Sequence, residues 1–284
     1  MQIELFDTFL DLIETNSFNR TAERLGLTQS TVSSRVKALE SALGKQLFTR
    51  SRAGTQPTAA GLRLVDHARA MRREWTAARR AVRRSGDFAR SMRIGIQFDL
   101  AATHIGDWAA EFRKTLPETA FYVEFDYSIQ MNADLLAGEL DLAILFTPKH
   151  LPDLHYETVG EIAYRMVSTE AARLEEVVPE GYIFANYSPA FNEAHRRIVQ
   201  GLSDAPFASG QNAAVCGLLT ALGGSAYVLE ESAAELVAAG TCRYVEDVPA
   251  IAQTVYLAVH LRQRHAHAHR KLLTIVREHF GRAG

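Results

Sequence analysis

The sequence predicts an α+β multi-domain protein: an N-terminal winged helix-turn-helix, a long linker helix and a two-lobed α/β body. Three observations carry this. Short amphipathic helices and a basic hairpin fill residues 1–58, a heptad-spaced apolar stripe runs along 59–90, and from residue 91 strand-like and helical runs alternate. Charge divides along the same line. Residues 1–90 hold 16 Lys and Arg against 9 Asp and Glu, leaving 15 and 24 of the chain's 31 and 33 for the remainder. The net charge of −2 therefore conceals a basic head on an acidic body, a distribution that points to a nucleic-acid partner. With 284 residues, 47% of them hydrophobic, the chain is long enough for two domains and is not disordered. Two cysteines, Cys216 and Cys242, exclude a disulfide scaffold. No apolar run nears the ~18 residues of a membrane helix, and Met1–Asp7 has no basic leader, so no membrane partner is expected and the expected location is the cytoplasm.

In the head, Leu5, Phe9, Leu12 and Ile13 recur at helical spacing with Glu4, Asp7, Asp11 and Glu14 opposite, a first helix ending near Thr15-Asn16. Phe18, Ala22 and Leu25 mark a second, stopped by Gly26. Thr28 is a good N-cap for a third, Gln29 to about Leu43, striped by Val32, Val36, Leu39 and Leu43. Its outer face offers Gln29, Ser30, Thr31, Ser33, Ser34, Arg35 and Lys37. Amides and hydroxyls at the start of a helix in the major groove read base edges, and Arg35 and Lys37 further along are placed to grip phosphate. Taken alone, Gln29–Ser34 also reads as a solvated helix start. The following strand–glycine–strand pattern, Gly44–Arg50 and Ser51–Thr58, makes a wing whose Arg50 and Arg52 meet phosphate or a minor groove.

Leu64, Ala68, Met71, Trp75, Ala78 and Val82 alternate spacings of four and three within an arginine-rich stretch, a seam that pairs with its twin. Packing on the chain's own body is the alternative. The two alanines permit close approach but add little burial. In the body, Met92–Gln97, Ala120–Phe125 and Leu140–Leu145 read as strands separated by helices at Ala101–Leu116 and Gln130–Leu136, which predicts a parallel sheet. Strand-like segments follow at His155–Val159, Ala163–Val167 and Tyr182–Phe184. Then come a helix at Ala213–Leu222, a strand at Ala226–Leu229, a helix at Ser232–Ala239, strands at Arg243–Val245 and Val255–Val259, and a last helix from His265 to Phe280.

Thr21-Ala22-Glu23-Arg24-Leu25, Thr28-Gln29-Ser30-Thr31-Val32-Ser33, Leu39-Glu40, Leu43-Gly44, Leu47-Phe48-Thr49-Arg50 and Thr58-Ala59-Ala60-Gly61-Leu62 closely resemble the head of LysR-type transcriptional regulators. The likeness is dense to about residue 65 and continues in outline, with Leu135–Ile144 matching the family's L-x-x-G-x-L-D-L-A-I. Tyr182–His195 is similar to the branch containing flagellar-operon repressors. The resemblance implies that Gln29, Ser30, Thr31 and Ser33 open the recognition helix as base or phosphate contacts; the family often has Pro or Ala after the Gln, so base preference does not carry over. The whole expected DNA-contacting set is Thr28, Gln29, Ser30, Thr31, Ser33, Ser34, Arg35, Lys37, Arg50 and Arg52. The resemblance further implies a homodimer or homotetramer paired through the linker helix, a dyad-symmetric double-stranded operator, RNA polymerase as a partner, and a body of periplasmic-binding-protein type. In that body (91–284), lobe 1 is about 91–160 and 256–284, and lobe 2 about 161–255.

A ligand in such a body sits beyond the carboxyl ends of the strands, near helix N-termini. The expected small-molecule site is Gln97, Phe98, Asp99, Thr103, Phe146, Thr147, Tyr187, Ser188, Gln211 and Asn212, each of which also reads as an ordinary polar loop end. Asp99 departs from the family's Ser or Thr and repels anions, which points to a cationic or zwitterionic effector. The chain has no G-x-S-x-G, P-loop, G-x-G-x-x-G or metal-spaced cysteine pair, so no enzyme, cofactor, catalytic residue or metal residue is expected. The cysteines read as buried thiols rather than a redox switch, and His265, His267 and His269 as a polar helix face rather than metal ligands. A second reading keeps the DNA-binding head as an effector-independent or architectural module, with a vestigial solute-binding body.

Overall fold

A computed structural model of the chain describes residues 2–51, 54–83, 88–202 and 204–283. Two compact units emerge, residues 1–87 with the turn 136–139, and the remainder. In the first, α1 (Ile3–Thr15), α2 (Phe18–Leu25) and α3 (Gln29–Leu43) each end on a left-handed residue, Asn16, Gly26 and Gly44. The Ser17 hydroxyl accepts the Arg20 N–H at 3.4 Å, and the Thr28 hydroxyl accepts the Thr31 N–H at 3.2 Å, so both helices start on a side-chain cap. The wing is β1 (Phe48–Ser51) paired antiparallel with β2 (Gly54–Pro57), Phe48 opposite Pro57. A long helix, α4 (Ala59–Arg83), follows. Phe9, Leu12, Val32, Val36, Leu39, Leu47 and Phe48 form the head core, joined by Val65 and Ala68 of α4. Each large side chain buried there contributes roughly 1.5–3 kcal/mol. Gly61 is a close-approach point. A Cβ on it would lie 2.3 Å from the Leu47 carbonyl oxygen.

The second unit contains β3 (Arg90–Ile96), α5 (Phe98–Thr115), β4 (Thr119–Phe125), α6 (Ser128–Ala137), β5 (Leu142–Leu145) and β6 (Leu154–Ser168). These are followed by β7 (Ile183–Ala185), α7 (Pro189–Ile198), β8 (Phe207–Ser209), α8 (Asn212–Leu222), β9 (Ser225–Leu229), α9 (Glu230–Ala238), β10 (Arg243–Tyr244), β11 (Ile251–His260) and α10 (His267–Ala283). The main sheet runs β10-β6-β11-β5-β3-β4 with β9 also on β6, and β7 pairs with β8 in a small parallel sheet.

The parallel pairing expected of the first three strands is present, with β3 lying between β5 and β4, and the large sheet then continues antiparallel, β6 and β11 pairing over their length. The reason lies in connectivity: β6 carries the chain from lobe 1 into lobe 2 and β11 brings it back, so the two run in opposite directions. Their register shifts between Val255 and Tyr256, opposite Gly160 and Thr158. The two segments read at 155–159 and 163–167 are one fifteen-residue strand. Its Gly160 is required by packing rather than by a break, since a Cβ there would lie 2.3 Å from the Phe280 ring of α10. Helix α5 starts at Phe98, three residues early, with Leu100 and Ala101 N–H groups donating to the Gln97 carbonyl, so Phe98 and Asp99 are helical rather than loop residues. Helix α7 and strand β8 have no counterpart in the sequence reading. The first is ten residues with only two buried side chains, Phe191 and His195, and the second is three residues long. Among the described residues no helix is long and apolar enough to cross a membrane.

Candidate nucleic-acid interface and interlobe cleft

The turn between α2 and α3 presents the start of α3 outward. Gln29, Ser30, Ser34 and Lys37 are exposed, whereas Thr31 and Ser33 are half-buried. Thr28 is exposed but engaged, its hydroxyl lying 2.9 Å from the Ser30 hydroxyl and 2.8 Å from that of Thr31. Lys37 shares a groove of about 420 Å³ with Ser33, Gln46 and Thr49, between α3 and the wing. Gln46 and Thr49 join the candidate surface here. Their signal in the sequence was only position, between the recognition helix and the basic tip. Glu40 fixes this arrangement, its Oε1 accepting the Leu47 and Phe48 N–H groups at 2.8 and 3.3 Å.

Arg35 is half-buried and donates from Nη1 to the Thr8 hydroxyl at 3.3 Å, which ties α3 to α1. It also lies beside Asp7, whose carboxyl is raised by burial, an effect that Arg72 and Arg35 counter. Arg50 pairs through its backbone with Thr55 in the wing, and Arg52 lies outside the described residues.

The seam on α4 divides in two. Leu64 is half-buried, and Ala68, 0% exposed, belongs to the head core, so Ala68 faces its own chain and not a twin. Packing decides this, because α4 lies against α1 and the head core already covers Ala68. Further along, Met71 (45% exposed), Trp75 (49%), Ala78 and Val82 (86%) are open. Met71, Glu74, Trp75 and Ala78 line a groove of about 610 Å³ with Gln2 and with Ile3, Glu4 and Phe6 of α1.

In the body, the expected small-molecule residues converge, but largely on one another. Gln97 is buried at the end of β3, and its Oε1 accepts the Ser128 hydroxyl at 3.0 Å. The Ser128 oxygen in turn accepts the Phe146 and Thr147 N–H groups, both at 3.1 Å. Asp99, 5% exposed, bridges the lobes: Oδ1 accepts the Asn212 backbone N–H at 2.8 Å and Oδ2 accepts the Tyr164 hydroxyl at 3.1 Å. Burial raises its carboxyl to about 6 against these two favourable bonds. The Asn212 side chain is also committed, donating to Ser232 and accepting the Leu229 N–H, each at 2.8 Å. Ser188 caps α7 through the Phe191 N–H at 3.0 Å and donates to Gln253 on β11.

Three expected residues stand outside this hydrogen-bond network. Thr103 is exposed, a turn further along α5. Tyr187 is core, stacked on Tyr164 at 4.3 Å with its hydroxyl donating to the Tyr227 carbonyl. Gln211 is half-buried beside the start of α8 with no side-chain cap bond. Phe98 packs on Tyr127, ring centres 5.4 Å apart. Ser128, Tyr164, Ser232 and Gln253 complete the network and are not legible in the sequence, since only strand register (Tyr164, Gln253) and helix placement (Ser128, Ser232) bring them to the cleft.

Cys216 and Cys242 are free, and burial raises both thiols, which lowers the reactive thiolate fraction. Among the described residues no three His, Cys, Asp or Glu side chains gather as a metal site. His265 precedes α10, and His269 is buried with Nε2 3.1 Å from the Asp141 carbonyl, so the two do not share a helix face.

Residues 3–62 match the family described as bacterial regulatory helix-turn-helix protein, lysR family, and residues 85–281 match the LysR substrate binding domain. The HTH-type transcriptional regulator HdfR of Yersinia enterocolitica is 30% identical over 190 residues, covering 67% of this chain and 64% of that protein. HdfR of Yersinia pestis is 29% identical over 241 residues, 81% of this chain and 82% of that one. Full-length OxyR from Pseudomonas aeruginosa, solved as a Cys-to-Asp variant, superposes with a TM-score of 0.59 at 18% identity over 98% of this chain and 95% of that one. LysG from Corynebacterium glutamicum, solved with bound effector Arg, gives 0.58 at 20% identity over 99% of each. At these identities the likeness is one of fold.

Proposed function

The chain belongs to the lysR family of bacterial helix-turn-helix regulatory proteins, and from that premise we propose how it works. It is a DNA-binding transcriptional regulator with an effector-binding domain. In our reading it acts in the cytoplasm without catalysis or a resident cofactor. As a homodimer, or a pair of dimers, it holds two heads on the half-sites of a dyad-symmetric operator. Gln29, Ser30 and Ser34 read base edges while Lys37, Gln46 and Thr49 hold the backbone. The observation that carries this reading is the exposed polar start of α3 beside the Lys37–Thr49 groove.

Pairing uses Met71, Trp75, Ala78 and Val82, with the α1–α4 groove receiving the partner's helix. A small molecule bound between the lobes shifts the relative placement of the two heads, and it does so only through unequal affinity for two assemblies. RNA polymerase is the downstream partner. Footprinting of the full chain on its selected operator, with and without fractionated small metabolites, tests the effector arm. A footprint that changes length or hypersensitivity supports it, and one that never changes refutes it. The second reading, an effector-independent DNA-binding protein, draws support from the cleft, whose polar groups bond to one another. It predicts that unchanging footprint.

A further inference from the structure

Buried charges in proteins are normally paired with an opposite charge. Asp99 breaks that pattern. It lies in the first turn of α5, 5% exposed and facing lobe 2, and both groups that bond it are neutral: the Asn212 N–H at 2.8 Å and the Tyr164 hydroxyl at 3.1 Å. Among the described residues no cation acts on it. The titratable groups it touches electrostatically are Tyr164, Tyr187 and Cys216, and beyond Tyr164 stands a further acid, Glu231. The starts of α5 and α8 converge on the carboxylate and hold it in place, but partial helix charges of about half a unit do not neutralise it. A carboxylate offers about four acceptor positions, and two are filled.

We propose that the effector carries a protonated nitrogen, an alkylammonium or guanidinium group, and that Asp99 is its counter-ion. This rests on the interlobe effector reading above and adds the ligand's charge class. A cation entering beside Asp99 supplies the missing charge, whereas an anion would meet a fixed carboxylate inside a water-poor cleft. Phe98, next in sequence, and Tyr127 form a ring pair at the same strand end that offers an aromatic face to the cation. Burial holds the Asp99 carboxyl near 6, so protonation competes with the ligand. Cation affinity then falls about tenfold between pH 7.5 and pH 5.

The test adds n-butylammonium, n-butylguanidinium, butyrate and butanol separately to the full chain at equal ionic strength and reads the unfolding midpoint. The two cations are expected to raise it saturably, by ~2 °C or more near saturation. Butyrate and butanol should not, and Asp99→Asn should abolish the response. Butyrate or butanol acting as strongly as the cations, or cations acting equally on Asp99→Asn, overturns the charge assignment and leaves an effector cleft standing. A midpoint unmoved by all four overturns the proposal, and if the operator footprint also ignores metabolites the effector reading falls with it. Should Asp99→Asn not fold, Tyr164→Phe removes one neutral donor and keeps the charge. It should strengthen the cation response, and a weakened response overturns the proposal.

Discussion

Replacing Asp99 by asparagine removes a charge that the folded body holds at a loss. The carboxyl is raised from the ordinary 3.8 to about 6, because burial outweighs the bonds from Asn212 and Tyr164. A raised folded-state value means that Asp99's contribution to stability is fully present below 3.8 and lost as pH rises through 6. At pH 7.5 the ionised group therefore costs about 3 kcal/mol relative to its protonated form, and at pH 5 about half of that. Asp99→Asn escapes the penalty, so its stability relative to the parent should improve by ~1.5 kcal/mol between pH 5 and pH 7.5.

The raw curves will not show this directly. Burial lowers His104 and His195 to about 4, and for these bases stability is present above 6.5 and lost as pH falls toward 4. Only the difference between the two proteins isolates Asp99. Urea unfolding followed by the fluorescence of Trp108, buried in α5, reads it in the body. A difference constant with pH to within ~0.5 kcal/mol would refute the reasoning, since Asp99 would then not be a desolvated carboxylate.

Other expectations follow from the head and the seam. Gln29→Ala should relax base preference with little change in salt dependence, while Lys37→Ala should weaken binding to all sequences and reduce the salt slope by about one. Equal losses from both on every DNA would refute this division of roles. Glu40→Ala strands two backbone N–H groups behind the wing and should cost the head roughly 1–3 kcal/mol in thermal unfolding. Trp75→Glu should shift sedimentation toward monomer without unfolding the head. Ala68→Leu, by contrast, overfills the head core and should destabilise it by roughly 1–3 kcal/mol. If Ala68→Leu instead strengthened the dimer at unchanged head stability, its burial against α1 would be the wrong description.

The head was legible because its signals are local. Thr28 caps α3, Gly26 and Gly44 end helices, and each apolar stripe is read within one helix. The Arg35–Thr8 bond is not legible, because helical periodicity gives a face but not a side chain's partner, and Thr8 is twenty-seven residues away in sequence. Ala68 was misread for a related reason. A heptad stripe reports that something apolar covers it, and for the first turns of α4 that cover is the head's own core. In the body, strand–helix alternation gives the parallel pairing of β3, β4 and β5. No crossover helix precedes β6 or β11, and these two run antiparallel because the chain crosses between lobes twice. Asp99 was singled out by its type, whereas its partners Asn212 and Tyr164 lie 113 and 65 residues away and appear only when the lobes fold together.

The central claim, that this chain recognises a two-fold operator through the start of α3, is tested most directly by selecting binding sites from random duplex DNA with the full protein, in parallel with Gln29→Ala. The account predicts an inverted repeat with half-sites at least one helical turn apart, enriched by the parent and degraded at specific base positions by the variant. Enrichment of no motif, or of the same motif at equal strength by both proteins, would contradict it.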